Sequence, residues 1–112
     1  MDILRNLDRE HQKHSRPRET KIIDGAAVTF SDMVVHRFRM GDVEDPVLYA
    51  AEPIWQWQQT EAGKFVMENA IESPWWVRYV DSASYGFEFV IVARMKESDQ
   101  TFYTLKYVNT SS

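Results

Sequence analysis

The chain is predicted to fold as α+β: an antiparallel or mixed sheet of about five strands, packed on or wrapped around one long Pro-broken helix in the order β-β-α-β-β-β. Three observations carry this. Apolar residues alternate with a period of two in residues 21–40 and again in 75–108, they recur at three- and four-residue steps in 46–70, and the links between these segments are short. Parallel neighbours need a crossover of a dozen or more residues, and only the helix itself is long enough to provide one. The expected organisation is a charged N-terminal arm or short helix over residues 1–20 and a single domain over 21–112.

Ile3, Leu4 and Leu7 lie at helical spacing behind Asp2, a residue suited to capping, but no aliphatic residue follows until Ile22. Arg16-Pro17-Arg18 ends any helix, because proline disfavours the α region in its predecessor. Residues 15–20 therefore read as a linker. Lys21-Ile22-Ile23, an Asp24-Gly25 pair and Ala26 to Phe30 form a hairpin pattern. Ser31-Asp32 marks a second break before Met33 to Met40, a strand with Val34, His36, Phe38 and Met40 on one face and Met33, Val35, Arg37 and Arg39 on the other.

Asp45-Pro46 opens the helix, with aspartate as cap and proline at the first helical position. Val47, Leu48, Ala51, Trp55, Gln58, Ala62, Phe65, Val66 and Asn69 supply its core stripe, and Pro53 either kinks it or divides it into a short helix to about residue 51 and a longer one from residue 53 to about residue 70. Beyond Ser73-Pro74, the Trp75–Val80 alternation, an Asp81–Ser84 turn and the row Tyr85, Phe87, Phe89, Ile91, Ala93 and Met95 predict two strands. Glu97–Gln100 then reads as a hairpin loop into a last strand, Thr101–Val108, giving a three-stranded meander.

Composition excludes whole classes of function. The chain has 112 residues and no cysteine, which rules out disulfides, thiol nucleophiles and thiolate metal sites. No apolar run reaches the roughly 20 residues of a membrane span, and the N-terminus lacks a signal-like apolar region, so a soluble, cytoplasmic protein is expected. Asn109-Thr110-Ser111 is then a chance sequon. Four dispersed glycines provide no phosphate-binding loop. The net charge of −4 hides a polarity: residues 1–21 hold six Lys/Arg against four Asp/Glu, whereas residues 42–72 hold seven acids and one base, Lys64. The basic arm (Arg5, Arg9, Lys13, Arg16, Arg18, Lys21) is opposed by this acidic remainder, so nucleic-acid binding is not expected. Imitation of DNA by the acidic helix would call for a larger excess of acid.

Several short stretches carry a likeness to a known group. Val35-His36-Arg37-Phe38, Met40-Gly41-Asp42-Val43-Glu44-Asp45-Pro46, Leu48-Tyr49-Ala50-Ala51 and Gly63-Lys64-Phe65-Val66-Met67-Glu68 are similar to uncharacterised small proteins of T4-like tailed phages, marine ones especially. Tyr85-Gly86-Phe87 and Thr101 to Tyr107 fit the same likeness, which spans about residues 20–108. The resemblance implies a phage accessory or virion protein, in the host cytoplasm or the particle, and no particular chemistry.

Each candidate site competes with a plainer reading. His11 and His14 share a helix face but lack a third ligand, so no metal is expected there. Asp42, Glu44 and Asp45 lack the spacing of a calcium loop and are accounted for by helix capping. Glu88 interrupts an apolar row from the opposite face, where Arg78 or Arg94 can pair with it across strands. His36 stands between Val34 and Phe38 and reads as a half-buried side chain rather than a base. Together His36, Arg78, Glu88 and Arg94 define the alternative to an association protein: a small-ligand domain or small enzyme with a pocket between helix and sheet.

The tryptophans motivate the leading expectation. Trp55 lies on the helix's core stripe, while Trp57, about 200° further round, points away from it. Adjacent Trp75 and Trp76 must face opposite sides of a strand. Either the N-terminal segment or the second face of a wrapped sheet covers these rings, or Trp57 and one of Trp75 and Trp76 are the contact residues of a non-enzymatic protein that binds a protein partner or itself, with no catalytic residue, cofactor or metal.

Overall fold

The computed structural model describes residues 16–40, 46–81 and 86–108. It is α+β: strands β1 (Glu19–Ile23), β2 (Ala26–Met40), β3 (Trp75–Asp81) and β4 (Gly86–Lys96) form one sheet, accompanied by helices α1 (Pro46–Gln59), α2 (Glu61–Asn69) and α3 (Glu97–Tyr103), the last running into a π-helical turn, Thr104–Val108. The sheet order is β1-β2-β4-β3 and every pairing is antiparallel, so the mixed alternative does not arise. Residues 1–15 of the predicted arm with its two histidines, the acids of residues 41–45, residues 82–84 of the predicted turn with Tyr85, and the sequon lie outside the described residues, while Glu19 and Thr20 of the predicted linker belong to β1 and Asp81 of the predicted turn to β3.

The β1–β2 hairpin turns at Asp24 and Gly25, whose φ angles of 53° and 82° are those of a two-residue type I′ turn. Asp-Gly is suited to that turn, since both positions need the left-handed region. β2 does not break at Ser31-Asp32 as predicted; it runs unbroken for 15 residues. Both polar residues find partners within the fold. Asp32 faces Arg94 across the sheet, and the Ser31 hydroxyl accepts from Gln100 Nε2 at 2.8 Å.

A bulge between Val34 and His36 alters the predicted faces of β2. Val34 turns to the outer face beside Trp75, Val77, Val90 and Val92, whereas Met33, Val35, Phe38 and Met40 join the core under the helices. The main core consists of Ala50, Ile54 and Trp57 from α1, Val66 from α2, Trp76, the odd-numbered residues Phe89, Ile91, Ala93 and Met95 of β4, and Tyr103 of α3. Aromatic contacts run through it: Phe38 stacks on Phe89 at 5.4 Å, and Trp76 tilts against the same ring at 5.5 Å.

The helix breaks at Thr60, not at Pro53, which sits inside α1. Thr60 caps α2: its hydroxyl accepts from Gly63 N at 3.0 Å and donates to Trp57 O at 2.6 Å. Gly63 is required by this corner, because a β-carbon there would lie 1.9 Å from the Trp57 carbonyl oxygen.

The predicted strand over 101–108 is helical instead. β4 is flanked by β2 on one side and β3 on the other, so no edge remains beside it for a meander strand. Glu97 and Asp99 occupy the first turn of α3, favourable to its dipole, and Gln100 Nε2 donates to Met95 O at 3.2 Å. Tyr103 then enters the core and donates its hydroxyl to Val35 O, at the bulge, over 2.6 Å.

Candidate interaction surface

Helix α1 has two opposed stripes. At 100° per residue, Ala50, Ile54 and Trp57 cluster around one direction and Leu48, Glu52 and Trp55 around the other. The first is buried. The second is open: Trp55 is 54% exposed, Leu48 65% and the flanking Tyr49 59%. Glu52 lies between Leu48 and Trp55 and accepts from Gln56 Nε2 at 3.3 Å. The outer side of α1 therefore offers two large apolar side chains and a phenol around a single carboxylate.

This placement reverses the prediction for the helix tryptophans. Trp57 is 6% exposed and packs its ring on His36 at 5.4 Å, nearly parallel, while its indole hydrogen-bonds the Tyr103 hydroxyl. Burial pushes the Tyr103 phenol up from its ordinary value, and that hydrogen bond partly offsets the shift. Trp55, predicted for the core, has no comparable anchor and faces outward.

Trp75 and Trp76 do face opposite sides of β3, as the period of two requires, but neither is exposed. Trp76 belongs to the core under the helices, and Trp75 to the outer cluster, where the Arg16 guanidinium lies over its ring at 4.5 Å. Both indole nitrogens are buried without a hydrogen-bond partner among the described residues. Of the predicted contact residues, none contributes exposed surface.

The four polar residues of the pocket reading do not converge. His36 is on the helix side, where burial among rings lowers its basicity. Arg78 also faces that side, its guanidinium 5.4 Å from the Phe87 ring. Glu88 is on the outer face and pairs with Arg37 at 3.1 Å and Arg39 at 4.0 Å, not with Arg78 or Arg94. The reason is register: Glu88 lies opposite Arg39 on one side and Tyr79 on the other, Arg78 points through the sheet, and Arg94 is six residues along the same strand.

Arg94 instead anchors a buried ionic knot that the sequence did not disclose. Its Nη1 donates to Asp32 Oδ1 at 2.9 Å and its Nη2 to Pro17 O at 2.8 Å. Asp32, with 1% of its side chain exposed, also accepts from Arg16 Nε at 3.0 Å, and Arg16 reaches on to Glu72. Burial pushes the Asp32 carboxyl up, but the hydrogen bonds from Arg16 and Arg94 outweigh it and hold the carboxyl below its ordinary value. Cross-strand distance and the polar interruption at Ser31-Asp32 were the available signals. The pairing of Asp32 with Arg94 depended on a β2–β4 register that passes over three intervening elements.

Two open clefts adjoin these features. One of about 380 Å³ lies between β2 and α3, lined by Met33, Gln100, Thr101, Thr104 and Leu105. The other, of about 610 Å³, is bordered by Arg16, Arg18, Lys21, Arg94, Glu19 and Glu72. Its cations are already matched: Arg16 and Arg94 by Asp32, Arg18 by Glu97 at 2.9 Å, and Lys21 by Glu19 at 3.7 Å. Among the described residues no group of three or more His, Asp or Glu could hold a metal ion, and no helix is long and apolar enough to cross a membrane.

No family model, curated protein or solved structure matches the chain. Large apolar side chains are exposed on the outer side of α1 (Leu48, Trp55) and also along residues 102–108 (Phe102, Leu105, Val108).

Proposed function

We propose that this protein acts by association rather than by catalysis, as a phage-type accessory or virion component that holds a protein partner against the outer side of α1. The exposure of Trp55 beside Leu48 carries the reading. A tryptophan presents a large, rigid surface at little entropic cost, and such residues anchor interfaces when they reach a pocket on the partner. Trp55 takes the role that the sequence suggested for Trp57, Trp75 and Trp76. The likeness to small proteins of T4-like tailed phages supports the accessory or virion setting. A pocket between helix and sheet lined by His36, Arg78, Glu88 and Arg94 has no support, because these residues are divided between two faces of the sheet.

Site-specific photocrosslinking tests the proposal. A photoreactive phenylalanine analogue at position 55 is expected to give discrete protein adducts in cells that carry the gene, while the same group at exposed Glu68 on α2 gives none. Adducts of equal yield from both positions, or none from position 55, would refute it.

A further inference from the structure

The two edges of the sheet are unlike. β3 begins at Trp75-Trp76-Val77, all three buried, so much of that edge lies below the surface. β1 is exposed at every one of its five residues, Ile22 at 72%, and pairs only with β2 among the described residues. Exposed edges with aliphatic side chains are templates for a further strand, and natural proteins usually blunt them.

The phase of the ladder determines which backbone groups β1 can offer. In a two-residue hairpin the residues flanking the turn, Ile23 and Ala26, exchange both hydrogen bonds. Alternation then points the N–H and C=O of Lys21 and Glu19 toward β2, and those of Thr20 and Ile22 away from it. A strand added to this edge must meet Thr20 and Ile22.

We infer that the partner of this edge is β1 of a second copy of the chain, running antiparallel across a two-fold axis at Thr20 and joining two four-stranded sheets into one of eight. In this register Thr20 meets Thr20 of the copy as a hydrogen-bonded pair, Ile22 meets Arg18, and Glu19 meets Lys21. Charge selects it. Centring the axis on Lys21 would set two ammonium groups directly opposite each other, which is destabilising. Centring it on Thr20 places Glu19 and Lys21 of both copies in an alternating square on one face, extending the Lys21–Glu19 contact already present within each chain at 3.7 Å. Pro17 falls opposite Ile23, in the phase whose backbone points back toward β2, so its missing N–H removes no bond between copies.

The overlap spans residues 17–23 of each copy, against the roughly 20–30 residues a side of a standard stable interface, so the pairing is of micromolar strength or weaker. The surface is separate from α1 and the inference does not depend on the association role argued above.

Sedimentation equilibrium of the full 112-residue chain, up to about 0.5 mM, provides the test. The wild type should rise from 13.2 kDa toward twice that mass. Glu19→Lys should weaken the dimer at least about tenfold, by turning the Glu19–Lys21 attraction between copies into repulsion of two ammonium groups, and Glu19→Lys/Lys21→Glu should restore it. Thr20→Pro, which removes an outward N–H and leaves the bonds to β2 intact, should abolish it. Trp55→Ala should leave it unchanged. Circular dichroism establishes that each variant folds. A wild type that stays at 13.2 kDa throughout overturns the inference. So does a Glu19→Lys dimer as tight as wild type, a charge swap that fails to restore association, or loss of the dimer in Trp55→Ala.

Discussion

Asp32→Asn removes one charge from the most deeply buried ionic group and keeps its shape. The carboxylate receives Arg16 Nε, Arg16 Nη2 and Arg94 Nη1 within 3.0 Å, and only 1% of the side chain meets solvent. Removing one member of a buried pair costs about 3–5 kcal/mol, mainly because the other charge is stranded. Here three features reduce the cost. The Arg16 side chain is 36% exposed and keeps Glu72, Arg94 keeps the Pro17 carbonyl, and asparagine still offers one oxygen, worth about 1 kcal/mol. The expected loss is therefore about 2–3 kcal/mol, a large part of the 5–15 kcal/mol that holds a typical domain, with a fall in Tm of about 10–15 °C. Burial alone would raise the Asp32 carboxyl, but its two arginines hold it lower. Its contribution is thus complete above the unfolded carboxyl value of about 3.9 and lost as pH falls through the lower folded value. Urea unfolding at pH 7 and across the range below pH 4, followed by tryptophan fluorescence, reads both effects. Asp32→Asn should show a deficit at pH 7 and a flatter acid limb. Replacing the pair outright, Asp32→Leu with Arg94→Met, should recover most of the deficit, because no charge is left stranded. A single variant within about 0.5 kcal/mol of wild type at pH 7 would refute the argument that this knot ties residues 16–18 to the sheet.

Gly63→Ala should destabilise by about 2 kcal/mol or more in urea unfolding, despite alanine's better helix propensity, since its methyl would lie 1.9 Å from Trp57 O; a neutral or stabilised variant would contradict the close approach at Thr60. Tyr103→Phe should cost about 1–3 kcal/mol by leaving the buried Val35 carbonyl without its donor, and calorimetry showing an unchanged Tm would count against the bulge contact. Burial lowers His36, so the stability linked to its neutral form is full above about pH 6.5 and lost as pH falls through the folded value; His36→Gln should flatten the urea midpoint between pH 7.5 and 5, and an undiminished slope would exclude this histidine as its source. Acrylamide should quench one tryptophan class readily in the wild type and lose that class in Trp55→Phe, the other three rings being buried.

Where structure depends on local pattern, the sequence was readable. The Asp24-Gly25 hairpin, the alternation of Trp75 and Trp76 and the single-faced row Phe87, Phe89, Ile91, Ala93 and Met95 follow from period and turn chemistry, and each has its expected form. Where structure depends on partners distant in sequence, the pattern misled. Ser31-Asp32 looks like an interruption until Arg94 and Gln100, more than sixty residues away, are known to satisfy it. Thr101 to Val108 has strand-like composition, but with β2 and β3 on both sides of β4 no strand position remains there. Tertiary context overrides β-propensity of that kind readily.

The error at the C-terminus also explains the error at the tryptophans. Both stripes of α1 satisfy helical periodicity, so spacing alone could not choose between Trp55 and Trp57 for the core. An acceptor for its N–H makes burial of an indole less costly, although Trp75 and Trp76 are buried without one among the described residues. Trp57 finds one in the Tyr103 hydroxyl, which in turn donates to Val35 O at the β2 bulge. That acceptor exists only because residues 97–103 are a helix laid across β2; read as a strand, Tyr103 lies elsewhere and Trp57 has no claim on the core. With the fully buried Ala50 and Ile54, this contact from the far end of the chain helps hold the rotation of α1 that leaves Trp55 in solvent. The surface assigned here to partner binding is the complement of a hydrogen-bond chain, Trp57 to Tyr103 to Val35, and a change at Tyr103 should reach Trp55 without touching it.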